Sequence, residues 1–201
     1  MLAAVPSHHI MRPDHARFVA HFTKGADAFD KLVSILEQQV IRAGALPWTD
    51  LPAVCFTECP WWSLLDHATR YSPFGIGFAK AHVFSAGGGP ALYVRPDHFK
   101  KQEWDPNVRA LTTPFWPAYR PDALKTDEHL SGKTIDYSHE REWRVPHDFT
   151  FDRKRVPFVV LDTYDDMARF PGHLKDAVGR ENFILMDMYR KIEQLWPTHQ
   201  V

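Results

Sequence analysis

The strongest hydrophobic pattern in the chain lies between Asp27 and Gly44. Apolar side chains recur there every three or four residues, which is the spacing of one face of an α-helix. This stripe consists of Phe29, Leu32, Val33, Leu36 and Val40. Asp27 is a favourable N-cap residue, and glycine is common just after the last turn of a helix. We therefore predict an amphipathic helix that begins after Asp27 and closes at Gly44.

Other stretches have the short apolar runs or the alternation typical of β-strands, and they recur along the whole chain. They cover residues 16–23, 53–58, 75–80, 91–94, 138–145, 156–161 and 183–186. Short helices are predicted over 61–70, after a proline suited to a first turn, and over 189–196. The glycine-rich stretch 87–90 is typical of a loop. Because strands and helices do not alternate regularly, the pattern favours an α+β fold over a doubly wound sheet.

The length of 201 residues fits one domain with a substantial core. We predict a single domain over 1–201, in which 15–94 and 138–196 form the core. Residues 1–14 are predicted to form an arm, and 95–137 an irregular insertion. Long insertions in compact domains are usually functional or disordered, and this one is too aromatic for disorder.

Composition narrows the function classes. Hydrophobic residues make up 44% and charged residues 24%, as in ordinary globular proteins. A formal net charge of −1 gives no overall basic field for non-specific nucleic-acid binding, although a local basic groove is compatible with it. The two cysteines argue against a disulfide framework and suggest a reducing cytoplasm. No apolar run approaches the ~20 residues that a membrane-spanning helix needs, so we expect no membrane association.

Two glutamates stand two residues apart in the predicted strand 138–145. Side chains alternate between the faces of a strand, so Glu140, Glu142 and Arg144 are expected on one face. Trp143 and Val145 then face the core. Neighbouring acids repel each other and are poor strand formers, which suggests a functional reason for the pair. The same pattern is also typical of a solvated strand with Glu–Arg ladders.

Further candidate residues lie far away in the sequence. His21 and Thr23 share a face of the first predicted strand, and Tyr71 precedes the glycine-rich strand 75–80. Each of them taken alone is typical of packing or of a surface position. Their order along the chain, with the glutamates on a later strand, is more informative than any single residue.

That order resembles the H-Y-E form of the ADP-ribosyltransferase fold, a split β-sheet fold whose members cleave NAD and transfer ADP-ribose to an acceptor. Breaking the nicotinamide–ribose bond builds positive charge on the ribose carbon, which a carboxylate can offset. The resemblance assigns this role to Glu142. It places Glu140 toward the acceptor, where a carboxylate can take the acceptor's proton.

The resemblance also assigns the contacts with NAD, the co-substrate. His21 and Thr23 would hydrogen-bond the ribose hydroxyls. Tyr71 would stack on the nicotinamide ring, with Phe22 or Phe74 as additional aromatic contacts. No metal is needed for this chemistry.

Within that fold, the chain is similar to a more specific family, the AbiGi-type abortive-infection proteins of bacteria. The matching motifs are 18–24, 54–60, 71–78, 87–90 and 142–145. They lie in order within roughly residues 15–146. Some members of the family are described as antitoxins, whereas a similarity to DNA-modifying toxins such as DarT implies a transferase. DarT also has a catalytic arginine, for which Arg70 is the candidate here.

The expected function is therefore a cytoplasmic toxin of a phage-defence system, acting on a nucleic-acid base in single-stranded RNA or DNA and restrained by an antitoxin protein. Aromatic and basic residues of the insertion are the candidates for stacking on bases and contacting phosphates. They are Phe115, Trp116, Tyr119, Arg109, Arg120 and Lys125. A loop packed over the domain would have the same composition. The alternatives are a protein acceptor and a non-catalytic antitoxin or binding module of the same fold.

Two other patterns point to less favoured functions. Cys55 and Cys59 with His67 and His82 have poor spacing for a zinc site. A metal-dependent ribonuclease that uses some of the histidines stays a third alternative. The glycine-rich stretch 87–90 lacks the strand–loop–helix context of a dinucleotide fingerprint, so we predict a turn there.

Overall fold

The computed structural model describes residues 15–58, 68, 71–120 and 133–196. It is a mixed α+β structure with several sheets, which confirms the predicted class. The strands are β1 (Phe18–Phe22), β2 (Val40–Ile41), β3 (Gly44–Ala45), β4 (Pro52–Phe56), β5 (Gly75–Ala79), β6 (Gly89–Pro90), β7 (Leu92–Val94), β8 (Thr112–Pro114), β9 (Trp143–Val145), β10 (Phe149–Thr150), β11 (Val159–Leu161) and β12 (Phe183–Leu185). The helices are α1 (Ala28–Gln38), α2 (Lys80–Ser85), α3 (Pro96–Phe99), α4 (Pro106–Leu111), α5 (Tyr164–Arg169), α6 (Gly172–Val178) and α7 (Met186–Leu195).

Two four-stranded sheets frame the molecule. The first has the order β1-β5-β11-β12, with β11 and β12 parallel and the other pairs antiparallel. The second has the order β3-β4-β9-β6 and is antiparallel, with Cys55 of β4 opposite Arg144 of β9. The sheets meet where Ala20 of β1 and Thr57, just after β4, exchange backbone hydrogen bonds of 2.9 and 2.8 Å. Side chains from both sheets are therefore brought close together at this bridge.

Helix α1 supplies much of the core, as its stripe predicts. Leu32 and Leu36 are fully buried among residues of both sheets. The helix is shorter than predicted because Gln39 adopts a left-handed conformation (φ 54°) and ends it. The prediction that Gly44 closes the helix is wrong, since Val40 lies in β2 and Gly44 in β3. A left-handed Gln39 stops the helix as a glycine would.

The prediction of a strand over 138–145 is wrong for residues 138–142. Ser138–Glu140 form a turn of 3₁₀-helix, and Arg141 is left-handed (φ 46°), so the strand itself is only β9. The prediction of a loop over 87–90 is also partly wrong, because Gly89–Pro90 form β6 and pair with β9. The chain turns sharply just before Glu142, and Glu140 and Glu142 are not neighbours on one strand face.

The other predicted strands are present, although most are shorter. Within the segment predicted as an irregular insertion, 95–137, the structure has α3, α4 and β8, and β8 pairs in parallel with β7. Helices α5 and α6 were not predicted, although Thr163 and Asp166 form a capping box at the start of α5. The predicted arm 1–14 and most of the predicted helix 61–70 lie outside the described residues. Ala68, within that helix, is buried.

The glycines of β5 allow aromatic rings of the protein itself to approach the strand closely. A Cβ atom on Gly75 would lie 2.7 Å from the ring of Phe22, and one on Gly77 would clash with the ring of Phe158. Both rings pack over the strand and help bury the interior of the first sheet. In the part of the chain that the structure describes, no helix combines the length and the apolar character needed to cross a bilayer.

Candidate functional site

His21 lies near the end of β1, and its side chain contacts β4 of the second sheet. Its Nδ1 is 2.8 Å from the backbone oxygen of Cys55, and its ring packs edge-on against Phe56. A carbonyl oxygen only accepts, so Nδ1 carries the proton and Nε2 keeps its lone pair. Burial lowers the pKa of His21, so the ring is neutral at neutral pH. Nε2 has no partner among the described residues, which leaves it available to accept a hydrogen bond from a hydroxyl group.

Glu142 is held in place by Arg144. The arginine Nε lies 3.0 Å from one carboxylate oxygen and Nη2 lies 2.9 Å from the other. Both side chains are largely buried, with 13% of Glu142 and 7% of Arg144 exposed. The remaining Nη1 group donates to the backbone oxygens of Thr112, at 2.5 Å, and Ala110, at 3.4 Å. The carboxylate of Glu142 is thus fixed in direction, and its charge is balanced.

Cys55 connects the two predicted site residues of the two sheets. Its backbone oxygen accepts the hydrogen bond from His21, and it lies opposite Arg144, the residue that holds Glu142. Burial and the neighbouring carboxylate together raise the pKa of the thiol to about 12. His21 and Glu142, 121 positions apart in the sequence, are therefore both brought to the β4–β9 pair at Cys55. The thiol stays protonated at neutral pH and is not a nucleophile.

Tyr71 and Glu140 form a second contact in this cluster. The Tyr71 hydroxyl lies 3.2 and 3.4 Å from the two carboxylate oxygens of Glu140. Burial, followed by the Glu140 carboxylate, raises the pKa of Tyr71, so the hydroxyl is the donor. The backbone oxygen of Glu140 accepts hydrogen bonds from the Thr57 hydroxyl, at 2.6 Å, and from the backbone N–H of Glu58, at 3.2 Å. Glu140 is therefore anchored through both its side chain and its backbone.

The other predicted contacts with NAD have partners within the fold. The buried Thr23 hydroxyl donates to the backbone oxygen of Ala28, at 2.8 Å, and lies 3.2 Å from that of Phe74. The Phe74 ring packs edge-on against Phe29, and the Phe22 ring packs against β5. These three residues stabilise the junction between β1 and α1. A direct contact with NAD stays a prediction for each of them.

A buried ion pair beside the site was not predicted from the sequence. Glu58 lies 2.5 Å from Lys80 Nζ, and its second oxygen accepts a 3.1 Å hydrogen bond from the indole nitrogen of Trp143. Lys80 also lies over the Trp143 ring, 5.4 Å from its centroid. This network joins the ends of β4, β5 and β9. The only sequence signal for it is Glu58 in the motif 54–60, whose partners are distant in sequence.

Lys24 and Arg144 were also missed. Lys24 directly follows β1, and its Nζ lies 4.0 Å from the centroid of the Tyr71 ring. Arg144 was predicted only as a neighbour of the glutamates on a strand. Both residues occur in motifs that carry the family resemblance, and that was the available signal.

The predicted nucleic-acid contacts are only partly accessible. Trp116 is 2% exposed and cannot offer a ring face to a base, so that assignment is wrong. Arg120 covers its ring at 5.3 Å. Tyr119 is 78% exposed, and Arg109 lies at the surface near the Phe99 ring. Candidate residues outside the described ranges are Arg70, Lys125, Cys59 and His67.

The described residues thus bring together a neutral imidazole, a tyrosine hydroxyl and two carboxylates. One carboxylate is neutralised by a buried guanidinium, and the other accepts from a phenol. Such a set can bind hydroxyl groups, offset developing positive charge and accept a proton. Among the described residues, no group of three or more His, Cys, Asp or Glu side chains is arranged to hold a metal ion.

Comparison of the chain with protein-family models, with curated proteins and with solved structures finds no match. The family resemblance therefore depends on the motifs in the sequence, and the function has to be argued from the site.

Proposed function

We propose that the protein is an NAD-dependent ADP-ribosyltransferase with the split-sheet fold of that family. The observation that supports this most is that His21 and Glu142 meet at Cys55: His21 is bonded to its backbone oxygen, and Glu142 is held by Arg144, which lies opposite it on β9. The H-Y-E resemblance requires residues from distant parts of the chain to meet at one place. Tyr71 belongs to the same cluster through Glu140, which the resemblance puts beside the acceptor.

In this proposal Glu142 accepts a hydrogen bond from a hydroxyl of the nicotinamide ribose. Its charge offsets the positive charge that develops on the ribose C1′ as the C1′–N bond breaks. The bonding electron pair leaves with nicotinamide. His21, neutral and with a free lone pair on Nε2, accepts from a second ribose hydroxyl.

The acceptor then forms a bond to C1′ and loses a proton, which Glu140 takes. The hydrogen bond from Tyr71 orients the Glu140 carboxylate toward this position. We propose a base of single-stranded RNA or DNA as the acceptor, in keeping with the similarity to DarT. The exposed Tyr119 and Arg109 are the accessible members of the predicted stacking and phosphate-binding residues. A phage-defence toxin of this kind would act in the cytoplasm and be held inactive by an antitoxin protein.

The test is nicotinamide release from NAD, measured by chromatography for the natural protein, Glu142→Gln and Glu140→Gln. Loss of a group that stabilises transition-state charge typically costs 10²–10³-fold in rate, so we expect Glu142→Gln to lose about that much. Glu140→Gln should slow transfer to the acceptor more than it slows hydrolysis. Glu103→Gln, a substitution of an exposed carboxylate, is the matched control.

Radiolabelled NAD mixed with cellular RNA, DNA and protein then identifies the acceptor. Label in RNA or DNA supports the proposal, and label in protein alone rejects the nucleic-acid acceptor but keeps the transferase. Absence of nicotinamide release from the natural protein, folded and supplied with all three acceptors, rejects the transferase.

A non-catalytic binding module is the second candidate, and the Glu142–Arg144 ion pair favours it. Both carboxylate oxygens of Glu142 are already bonded to the guanidinium, as in a purely structural buried pair. This candidate predicts NAD binding without turnover, or no NAD binding, and a folded protein that is not toxic when expressed. Toxicity that Glu142→Ala abolishes would favour the transferase.

A further inference from the structure

Lys24 brings a positive charge to the rim of the site. It is an exposed residue directly after β1, and its ammonium group is held over the face of Tyr71 at 4.0 Å from the ring centroid. A cation at this distance is attracted by the electron-rich ring face, which restricts where the flexible side chain lies. The charge therefore has a defined position next to the residue that bonds Glu140.

Two other cations near the site, Arg144 and Lys80, are already paired. Arg144 is bonded to Glu142 by two hydrogen bonds, and Lys80 is 2.5 Å from Glu58. Lys24 has no carboxylate within ion-pair distance among the described residues. Its charge still acts on the cluster: burial is the main cause of the lowered pKa of His21, and the Lys24 charge adds to it. At Cys55 the same charge works against the burial that raises the pKa of the thiol.

An unpaired cation beside two carboxylates affects which ligands can approach. Glu140 would repel an anionic ligand, and the charge of Arg144 is already balanced by Glu142. A ligand that carries phosphate groups needs a positive charge positioned outside this pair. The ammonium of Lys24 is a compact point charge on a flexible stem, which suits a phosphate oxygen.

We propose that Lys24 is the phosphate-binding residue of this site. This inference rests on the proposed function for the source of the phosphate. One source is the diphosphate of NAD, and the other is the backbone of a nucleic-acid acceptor. The position of Lys24, on the Tyr71 side where the nicotinamide half of NAD is predicted to bind, is compatible with both.

The experiment measures binding by isothermal titration calorimetry with ADP-ribose, with nicotinamide riboside, which lacks phosphate, and with a 12-nucleotide poly(U) oligonucleotide. Lys24→Met removes the charge but keeps most of the apolar stem over Tyr71, and Lys24→Arg restores the charge. Lys154→Met, an exposed lysine in the 3₁₀ turn Arg153–Arg155, is the matched control.

We expect Lys24→Met to weaken ADP-ribose binding on the order of tenfold, as for the loss of one charge-assisted hydrogen bond. Lys24→Arg should retain most of the affinity. Binding of nicotinamide riboside should be unchanged in all variants, and higher salt should reduce the difference between the natural protein and Lys24→Met. Loss of oligonucleotide binding with unchanged ADP-ribose binding would assign the residue to the acceptor instead.

The inference is overturned if Lys24→Met binds ADP-ribose and the oligonucleotide as tightly as the natural protein. It is also overturned if nicotinamide riboside binding falls equally, because the effect would then be on the shape of the site. Nicotinamide release by the natural protein is measured in parallel. Release together with Lys24-independent binding rejects only the phosphate site, whereas Lys24-dependent binding without release rejects only the transferase.

Discussion

Replacing Arg144 with methionine tests how far the buried ion pair stabilises the site. The arginine is buried and donates to both oxygens of Glu142 and to the backbone oxygens of Ala110 and Thr112. Methionine fills much of the space of the apolar stem, so the main loss is the charge and its hydrogen bonds. Glu142 would then be a buried carboxylate without its counter-ion.

Removing one partner of a buried ion pair costs about 3–5 kcal/mol. For a chain of 201 residues, each 1 kcal/mol shifts the melting temperature by about 2–4 °C. We therefore expect Arg144→Met to lower the melting temperature by roughly 6–20 °C. The Glu142→Gln/Arg144→Met double variant should be less destabilised than the sum of the single variants, because no uncompensated charge remains.

The measurement is urea unfolding followed by far-UV circular dichroism, with the free energy of unfolding compared across the four proteins of the cycle. Arg42→Met is the matched control, since Arg42 pairs with Asp148 at the surface with 72% and 41% of the side chains exposed. Loss of this exposed pair should cost about 0–1 kcal/mol. If Arg144→Met costs no more than Arg42→Met, or if the double cycle is additive, the buried pair does not stabilise the fold as argued.

Three further predictions address neighbouring features. Burial lowers the pKa of His21 below its ordinary 6.5, so the unfolded chain binds a proton first and stability falls as the pH drops below 6.5. His21→Gln should flatten this part of the curve of unfolding free energy against pH, and an unchanged slope would contradict the assignment. Gly77→Ala places a methyl group against the ring of Phe158 and should lower the free energy of unfolding in urea by about 1–3 kcal/mol. The control Gly44→Ala meets no atom within 4 Å and should cost less than half as much. Thr57→Val removes the 2.6 Å hydrogen bond to the backbone oxygen of Glu140 and should cost about 1–3 kcal/mol, while Thr57→Ser keeps the donor; equal losses in both variants would assign the effect to packing.

The elements predicted best are those whose pattern is local. The stripe of α1 and the apolar runs of β1, β4 and β5 carry their period in adjacent residues, so their type could be predicted before any contact was known. The end of α1 could not, because a left-handed Gln39 has no distinctive sequence signal. The alternation around Glu140 favoured a strand, yet the left-handed Arg141 interrupts it.

The candidate site shows the same limit. His21, Tyr71 and the glutamates could be selected by residue type and order, and they do lie in one cluster. Which groups hold them depends on pairs between distant strands, such as Cys55 opposite Arg144. The assignment of Trp116 to base stacking failed because nothing in an aromatic, proline-rich stretch tells which ring packs inward.

The guanidinium of Arg144 also donates hydrogen bonds to the backbone oxygens of Ala110 and Thr112, where α4 ends and β8 begins. We therefore expect the positions of residues 95–112 to differ in how much sequence change they tolerate. Exchanges in residues 95–105, which lie before α4, should disturb the glutamate less than changes at Ala110 and Thr112, whose carbonyl groups accept from the arginine. Insertions at 110–112 would move the cation away from its acid, so related proteins should keep the length of this stretch unchanged.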